Sequence, residues 1–169
     1  MAVLRGERVV LRPVTDGDAE ALAAILAEES VARWWSPGTA LENAEAWLED
    51  DEDTTVWVIE ADGATAGSIS AWEQSDPDYR HAGIDLFLST AHQGRGLGTD
   101  AIRTVARHLF ADRGHHRITI DPSAANARAI AAYRRVGFRE VGVLRRYERG
   151  RDGTFHDGLL MDLLDGELR

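Results

Sequence analysis

Cysteine is absent from all 169 residues, which removes disulfides, thiol nucleophiles and thiolate metal sites from consideration. Lysine is absent too, so all 19 basic residues are arginines. Nowhere do eighteen apolar residues run together, and no amino-terminal basic segment leads into an apolar run with a small-residue cleavage site. The expectation is a soluble, cytoplasmic protein without a membrane partner. His81 and His92 are each a lone histidine near a turn, and no spacing in the chain suggests a metal site, so no metal is expected.

Twenty-nine acidic residues give a formal net charge of -10. A surface that neutralises phosphodiesters is normally basic, so nucleic acid is not an expected partner. An acidic field attracts cations and suits a polycationic acceptor, although solubility alone also accounts for an excess of Asp and Glu. The length fits one domain over residues 1–169 with a real core.

Arg8 to Pro13 alternates like a short strand. Thr15 with Asp18 then opens a helix predicted to run to Glu29, with Leu22, Ile25 and Leu26 on its apolar face. After Trp34-Trp35-Ser36-Pro37-Gly38, Thr39 and Glu42 repeat the capping pattern for a second helix through Leu48. Thr55–Glu60 and Ala66–Trp72 flank Asp62-Gly63 as a hairpin, and His81–Ser89 continues the meander. In that third strand Ile84, Leu86 and Leu88 share one face, and Asp85 and Phe87 the other. Gln93 to Gly98 leads into a helix over Thr99–Asp112, followed by a strand over Arg117–Asp121. Asn126 caps a helix ending at Val136-Gly137, and Arg139–Arg149 with Thr154–Leu164 forms a closing hairpin. This order implies a mixed α+β sheet with helices on both faces.

Gln93-Gly94-Arg95-Gly96-Leu97-Gly98-Thr99 lies between a strand and a helix, where free N–H groups and the macrodipole favour anions. Glycine lets a phosphate approach the main chain. A nucleotide triphosphate loop is excluded, since no Gly-Lys-Ser or Gly-Lys-Thr follows. A dinucleotide fingerprint is a closer rival, because Gly96-x-Gly98-x-x-Ala101 is followed by Asp121 at the end of the next strand. The long gap between Ser89 and Gly94 and the lack of further βαβ units argue against NAD binding.

Gln93-x-x-Gly96-x-Gly98 resembles the pyrophosphate loop of the GNAT superfamily of N-acetyltransferases, and the element order resembles that fold over nearly the whole chain. Asn126 through Tyr133 to Gly137-Phe138 resembles the family's second acetyl-CoA motif. The resemblance implies a twisted, mostly antiparallel sheet splayed at the third meander strand. It implies coenzyme binding by Leu88, Gln93, Gly94, Arg95, Gly96, Leu97, Gly98, Thr99, Asn126 and Tyr133. Tyr133 would protonate the departing thiolate, with backbone N–H near Leu88 on the carbonyl oxygen. For the base, Asp85 comes first among Asp85, Glu73 and Asp121, ahead of the lone histidines His81 and His92.

Gly83–Leu88, Asp121–Ile130 and Val31–Trp35 are similar to segments of the aminoglycoside 6'-N-acetyltransferases, although Leu86 stands where many of that branch carry glutamine. That resemblance implies an aminoglycoside-like small-molecule amine as acceptor, met by Trp35, Trp72, Glu73, Asp85 and Asp121. Arg8–Thr15 and Gly153–Leu163 also look like ribosomal-protein alanine N-acetyltransferases, which leaves a protein N-terminus as the alternative. A catalytically silent acetyl-CoA- or drug-binding module is a further alternative, against which Tyr133 argues. Either a monomer or a homodimer fits.

Overall fold

Eight strands form one sheet in the computed structural model, which describes residues 2–35, 37–49 and 52–169. The amino terminus is a small hairpin, β1 (Leu4–Arg5) and β2 (Val10–Pro13), whose first strand is too short to show a periodicity. A 3₁₀ turn at Asp16–Asp18 leads into α1 (Ala19–Leu26) and then α2 (Glu29–Ala32), so the helix predicted from Thr15 to Glu29 is broken. Glu28 is extended at the break because its carboxylate reaches the Thr90 N–H at 2.5 Å, a contact sixty-two residues away. α3 (Ala40–Leu48) opens on the reciprocal Thr39/Glu42 box, with Thr39 N–H to the Glu42 carboxylate at 2.8 Å. Of the Trp34–Gly38 break, Ser36 lies outside the described residues.

β3 (Thr54–Ala61) and β4 (Ala64–Gln74) turn through Asp62 and Gly63, both at positive φ, as the tight hairpin pattern predicts. Next come β5 (His81–Leu88), α4 (Leu97–Ala111), β6 (Arg117–Ile120) and α5 (Ala127–Val136). β7 (Arg139–Arg149) and β8 (Phe155–Leu164) close the chain. The order is β1-β2-β3-β4-β5-β6-β8-β7, antiparallel throughout except at β5/β6. α4 and α5 cover one face through Ile102, Val105, Ile130 and Val136, while α1 and α3 pack with Phe87 on the other.

The parallel β5/β6 pair persists only at Ala82↔Ile118 and Gly83↔Thr119. Beyond Gly83 the two strands part, and β5 keeps its β4 partners on one side only, out to Leu88 opposite Gly67. Alternate backbone groups of Ile84–Leu88 therefore face the opening. Among the described residues, no helix is long and apolar enough to cross a membrane.

Candidate active site

Two clefts meet at the opening between β5 and β6, and Tyr133, Asn126 and Leu86 line both. Tyr133 reaches the junction because Gly137, at φ 120, ends α5 and lets Phe138 N–H close back on the Tyr133 carbonyl at 3.1 Å. The tyrosine is 9% exposed, and its hydroxyl has no hydrogen-bond partner among the described residues. Burial, and then the charges of Asp85 and Asp121, raise its pKa, which keeps the hydroxyl protonated at neutral pH.

The first cleft, about 670 Å³, runs along the glycine loop. Gly94 and Gly96 adopt φ 73 and 78, conformations in which a side chain is strained. Helix α4 starts at Leu97, two residues before the predicted Thr99, because left-handed Gly96 serves as its N-cap. Gly98 packs so closely under β5 that a Cβ there would lie 3.1 Å from Leu88 Cδ1. Gln93 ties the loop down, giving Nε2–H to the Leu88 carbonyl at 2.8 Å and accepting from Arg128 Nη1 at 2.9 Å. Of the residues expected to hold coenzyme, the cleft gathers Leu88, Gln93, Gly94, Gly96, Gly98, Thr99, Asn126 and Tyr133. The side chains of Arg95 and Leu97 are turned away. Arg95 pairs with Asp62 at 2.6 Å and Leu97 is 2% exposed in the core, so these two offer the cleft no side chain. Arg33, Arg128 and Arg135 line the same cleft and were missed. The seven-residue spacing of the last two, two helical turns, was the signal for that pair. Among the described residues, no carboxylate lines this cleft.

The second cleft, about 820 Å³, carries an excess of acid, with Glu29, Asp85, Asp121, Glu148 and Asp152 against Arg33, Arg149 and Arg151, and Trp34 and Trp35 as walls. Asp85 keeps surface open to the cleft, yet the protein encloses it on its other sides. That enclosure, joined by the charges of Asp121 and Glu148, pushes its pKa up to about 7 against an opposing 2.8 Å bond from Leu86 N–H. Burial and Asp121 also raise Glu148. Asp121 accepts the Tyr147 hydroxyl at 2.5 Å, a bond that, with burial, pushes Tyr147 up to about 12. Sequence reasoning missed Tyr147 and Glu148, because an irregularity in β7 between Leu144 and Glu148, with Arg146 at positive φ, breaks the strand alternation there. Trp35 is braced edge-to-face by Trp47 at 5.2 Å and Phe87 at 5.3 Å.

Trp72 and Glu73 do not reach the cleft. Their register with Gly83 and Ala82 places them where β5 and β6 are still paired, at the far end of the opening. Trp72 stacks edge-on against His81 at 5.2 Å, and Glu73 binds His115 at 2.7 Å and Arg113 at 3.0 Å. Burial alone would lift Glu73, but those two partners hold it below the ordinary carboxylate range. The histidines are also spoken for, His81 by the Tyr79 carbonyl and His92 by the Ser89 hydroxyl. No cluster of three or more His, Cys, Asp or Glu suited to a metal occurs among the described residues.

A family model, "Acetyltransferase (GNAT) domain", matches residues 8–139. The chain belongs to the GNAT acetyltransferases. It is similar to an aminoglycoside N(6')-acetyltransferase type 1 of Klebsiella pneumoniae, at 31% identity over 82% of this chain and 77% of that one. It is also similar to the spermidine N(1)-acetyltransferase of Escherichia coli, at 28% identity over 80% of this chain and 75% of that one. Among solved structures, Mycobacterium smegmatis RimJ in complex with CoA-disulfide superimposes with a TM-score of 0.81 at 30% identity, covering 99% and 88% of the two chains. This GNAT chain is thus an N-acetyltransferase, and the part of its sheet that splays is the part where the two clefts meet.

Proposed function

We propose that the enzyme transfers the acetyl group of acetyl-CoA to a primary amine of a polycationic small molecule of the aminoglycoside kind. One observation carries this reading: a cleft whose described lining has arginines and no acids meets, at Tyr133, a cleft in which five carboxylates outnumber three arginines. The glycine loop fits a pyrophosphate. Gly94 and Gly96 leave main chain bare at the start of the fifteen-residue α4, and Arg128 stands beside them. The main chain of Gln93–Thr99 would hold that group, and acetyl-CoA bound there supplies an activated thioester.

The acidic cleft gathers the acceptor's charged amines, while Trp34 and Trp35 bound its position. Asp85, poised near neutrality, takes the proton that the acceptor nitrogen must lose to become nucleophilic. Tyr133 holds a proton on Oη at the junction, ready for the departing sulfur. The similarity to aminoglycoside and spermidine acetyltransferases supports a cationic amine of this kind.

A protein N-terminus is the second reading, favoured by the likeness to RimJ. A thiol-release assay with acetyl-CoA separates them. Turnover of aminoglycosides or polyamines, with none of peptides bearing free N-termini, is expected. Turnover of the peptides alone would transfer the acceptor assignment to the second reading.

A further inference from the structure

Coenzyme A carries three phosphate groups, and a loop that grips the pyrophosphate accounts for two. We propose that Arg128 and Arg135 together read the third, the ribose 3′-phosphate, so that this enzyme selects acetyl-CoA over its 3′-dephospho analogue. The inference rests on the acetyl-CoA reading above.

Helix geometry separates the two flanks of α5. At 100° per residue, Tyr133 and Ala129 point to one side of the cleft-facing stripe and Ala132 to its middle. Arg128 and Arg135 lie along its other edge, about 20° apart in direction and about 10 Å apart along the axis. The two alanines keep the floor between the flanks low. The thioester end therefore belongs at Tyr133, and the phosphates belong at the arginine edge. Arg128 Nη2 lies 3.3 Å from where a Cβ on Gly94 would sit, which sets that guanidinium at the rim of the glycine loop.

None of the cleft's three arginines has an ion pair among the described residues; Arg33 lies over the Trp34 ring, 5.3 Å from its centroid, which leaves Arg128 and Arg135 as the free pair on α5. In this acidic chain Arg12, Arg95, Arg113, Arg117, Arg139 and Arg151 each meet a carboxylate. Arg134, next in sequence to Arg135 but turned the other way, is bound to Glu140. Arg128 touches only the neutral amide of Gln93, and Arg135 has neither an ion pair nor a hydrogen bond among the described residues. Two uncompensated guanidiniums on one edge of a cleft without carboxylates among its described residues form a site for a dianion. The planar fork matches phosphate oxygens two at a time.

Calorimetry with CoA and 3′-dephospho-CoA tests this without turnover. The wild type is expected to bind CoA roughly ten- to a hundredfold more tightly than the dephospho form, the range of one or two charge-assisted hydrogen bonds. Arg135→Gln, which leaves the Arg128–Gln93 contact in place, should weaken CoA binding several-fold and leave dephospho-CoA within about twofold. The double variant with Arg128→Gln should bring the two ligands to nearly equal affinity. Both side chains are exposed, so unchanged melting temperatures are expected to accompany these losses. Equal wild-type affinity for the two ligands overturns the 3′-phosphate assignment and leaves the acetyl-CoA reading standing. Equal losses of both ligands in Arg135→Gln overturn it as well. A wild type that binds neither ligand overturns the acetyl-CoA reading, and this inference with it.

Discussion

Removing one oxygen from Tyr133 is the narrowest test of the chemistry. Tyr133→Phe keeps the ring packed against Phe138, 6.2 Å between centroids, and deletes only the hydroxyl proposed as the proton donor. Turnover should fall about a hundredfold or more, with affinity for CoA unchanged by calorimetry. Unaltered kcat would remove Tyr133 from the reaction. Asp85 offers a test in pH. With its carboxyl at about 7, kcat/KM should rise as pH increases through neutrality, and Asp85→Asn should lose both that rise and at least a hundredfold in rate. The same residue makes a stability prediction of definite sign. A carboxyl held above its unfolded value near 4 binds a proton in the native state between about pH 4 and 7 that the unfolded chain releases. Its cost is thus absent in acid and grows as pH rises to 7. Asp85→Asn should match the wild type near pH 4 in urea melts and exceed it at pH 8. The gain is on the order of 1 kcal/mol once the water of the open cleft is allowed for.

Among the elements, the amino-terminal hairpin does more than edge the sheet. Asp100, 5% exposed in the first turn of α4, accepts backbone N–H groups from Arg8 at 2.8 Å, Val9 at 3.1 Å and Glu7 at 3.2 Å. Arg8 in turn donates to the Arg95 carbonyl inside the glycine loop. Hairpin, helix start and loop are one hydrogen-bonded unit. Asp100→Ala orphans those donors, and urea titration should find a loss of about 2–3 kcal/mol together with weaker CoA binding. Intact stability would show that the hairpin holds without the carboxylate. None of this was readable beforehand, since more than ninety residues separate the partners. The caps of α3 and α5, by contrast, were readable from Thr39 with Glu42 and from Asn126 with Gly137, because each closes within a few residues.

For the whole molecule, the charge of -10 gains meaning from its distribution. Five carboxylates and three arginines line the cleft proposed for the acceptor, while among the described residues three arginines and no acid line the cleft proposed for the coenzyme. Attraction of a polycation should therefore be screened by salt. Between about 50 and 500 mM ionic strength, kcat/KM for such an acceptor is expected to fall roughly tenfold while kcat holds steady. A salt-independent KM would detach the acidic cleft from acceptor capture. By itself the sequence determined the element order apart from β1 and the α1/α2 break, together with the glycine loop and the Asn126–Phe138 motif, since each rests on spacing within a dozen or so residues. Only the tertiary structure decided that Asp85, Asp121 and Glu148 share a cleft and that Trp72 and Glu73 stand outside it. Those placements follow from where β5 parts from β6 and where β7 loses its regular register, and strand register is set by long-range pairing that no local pattern encodes.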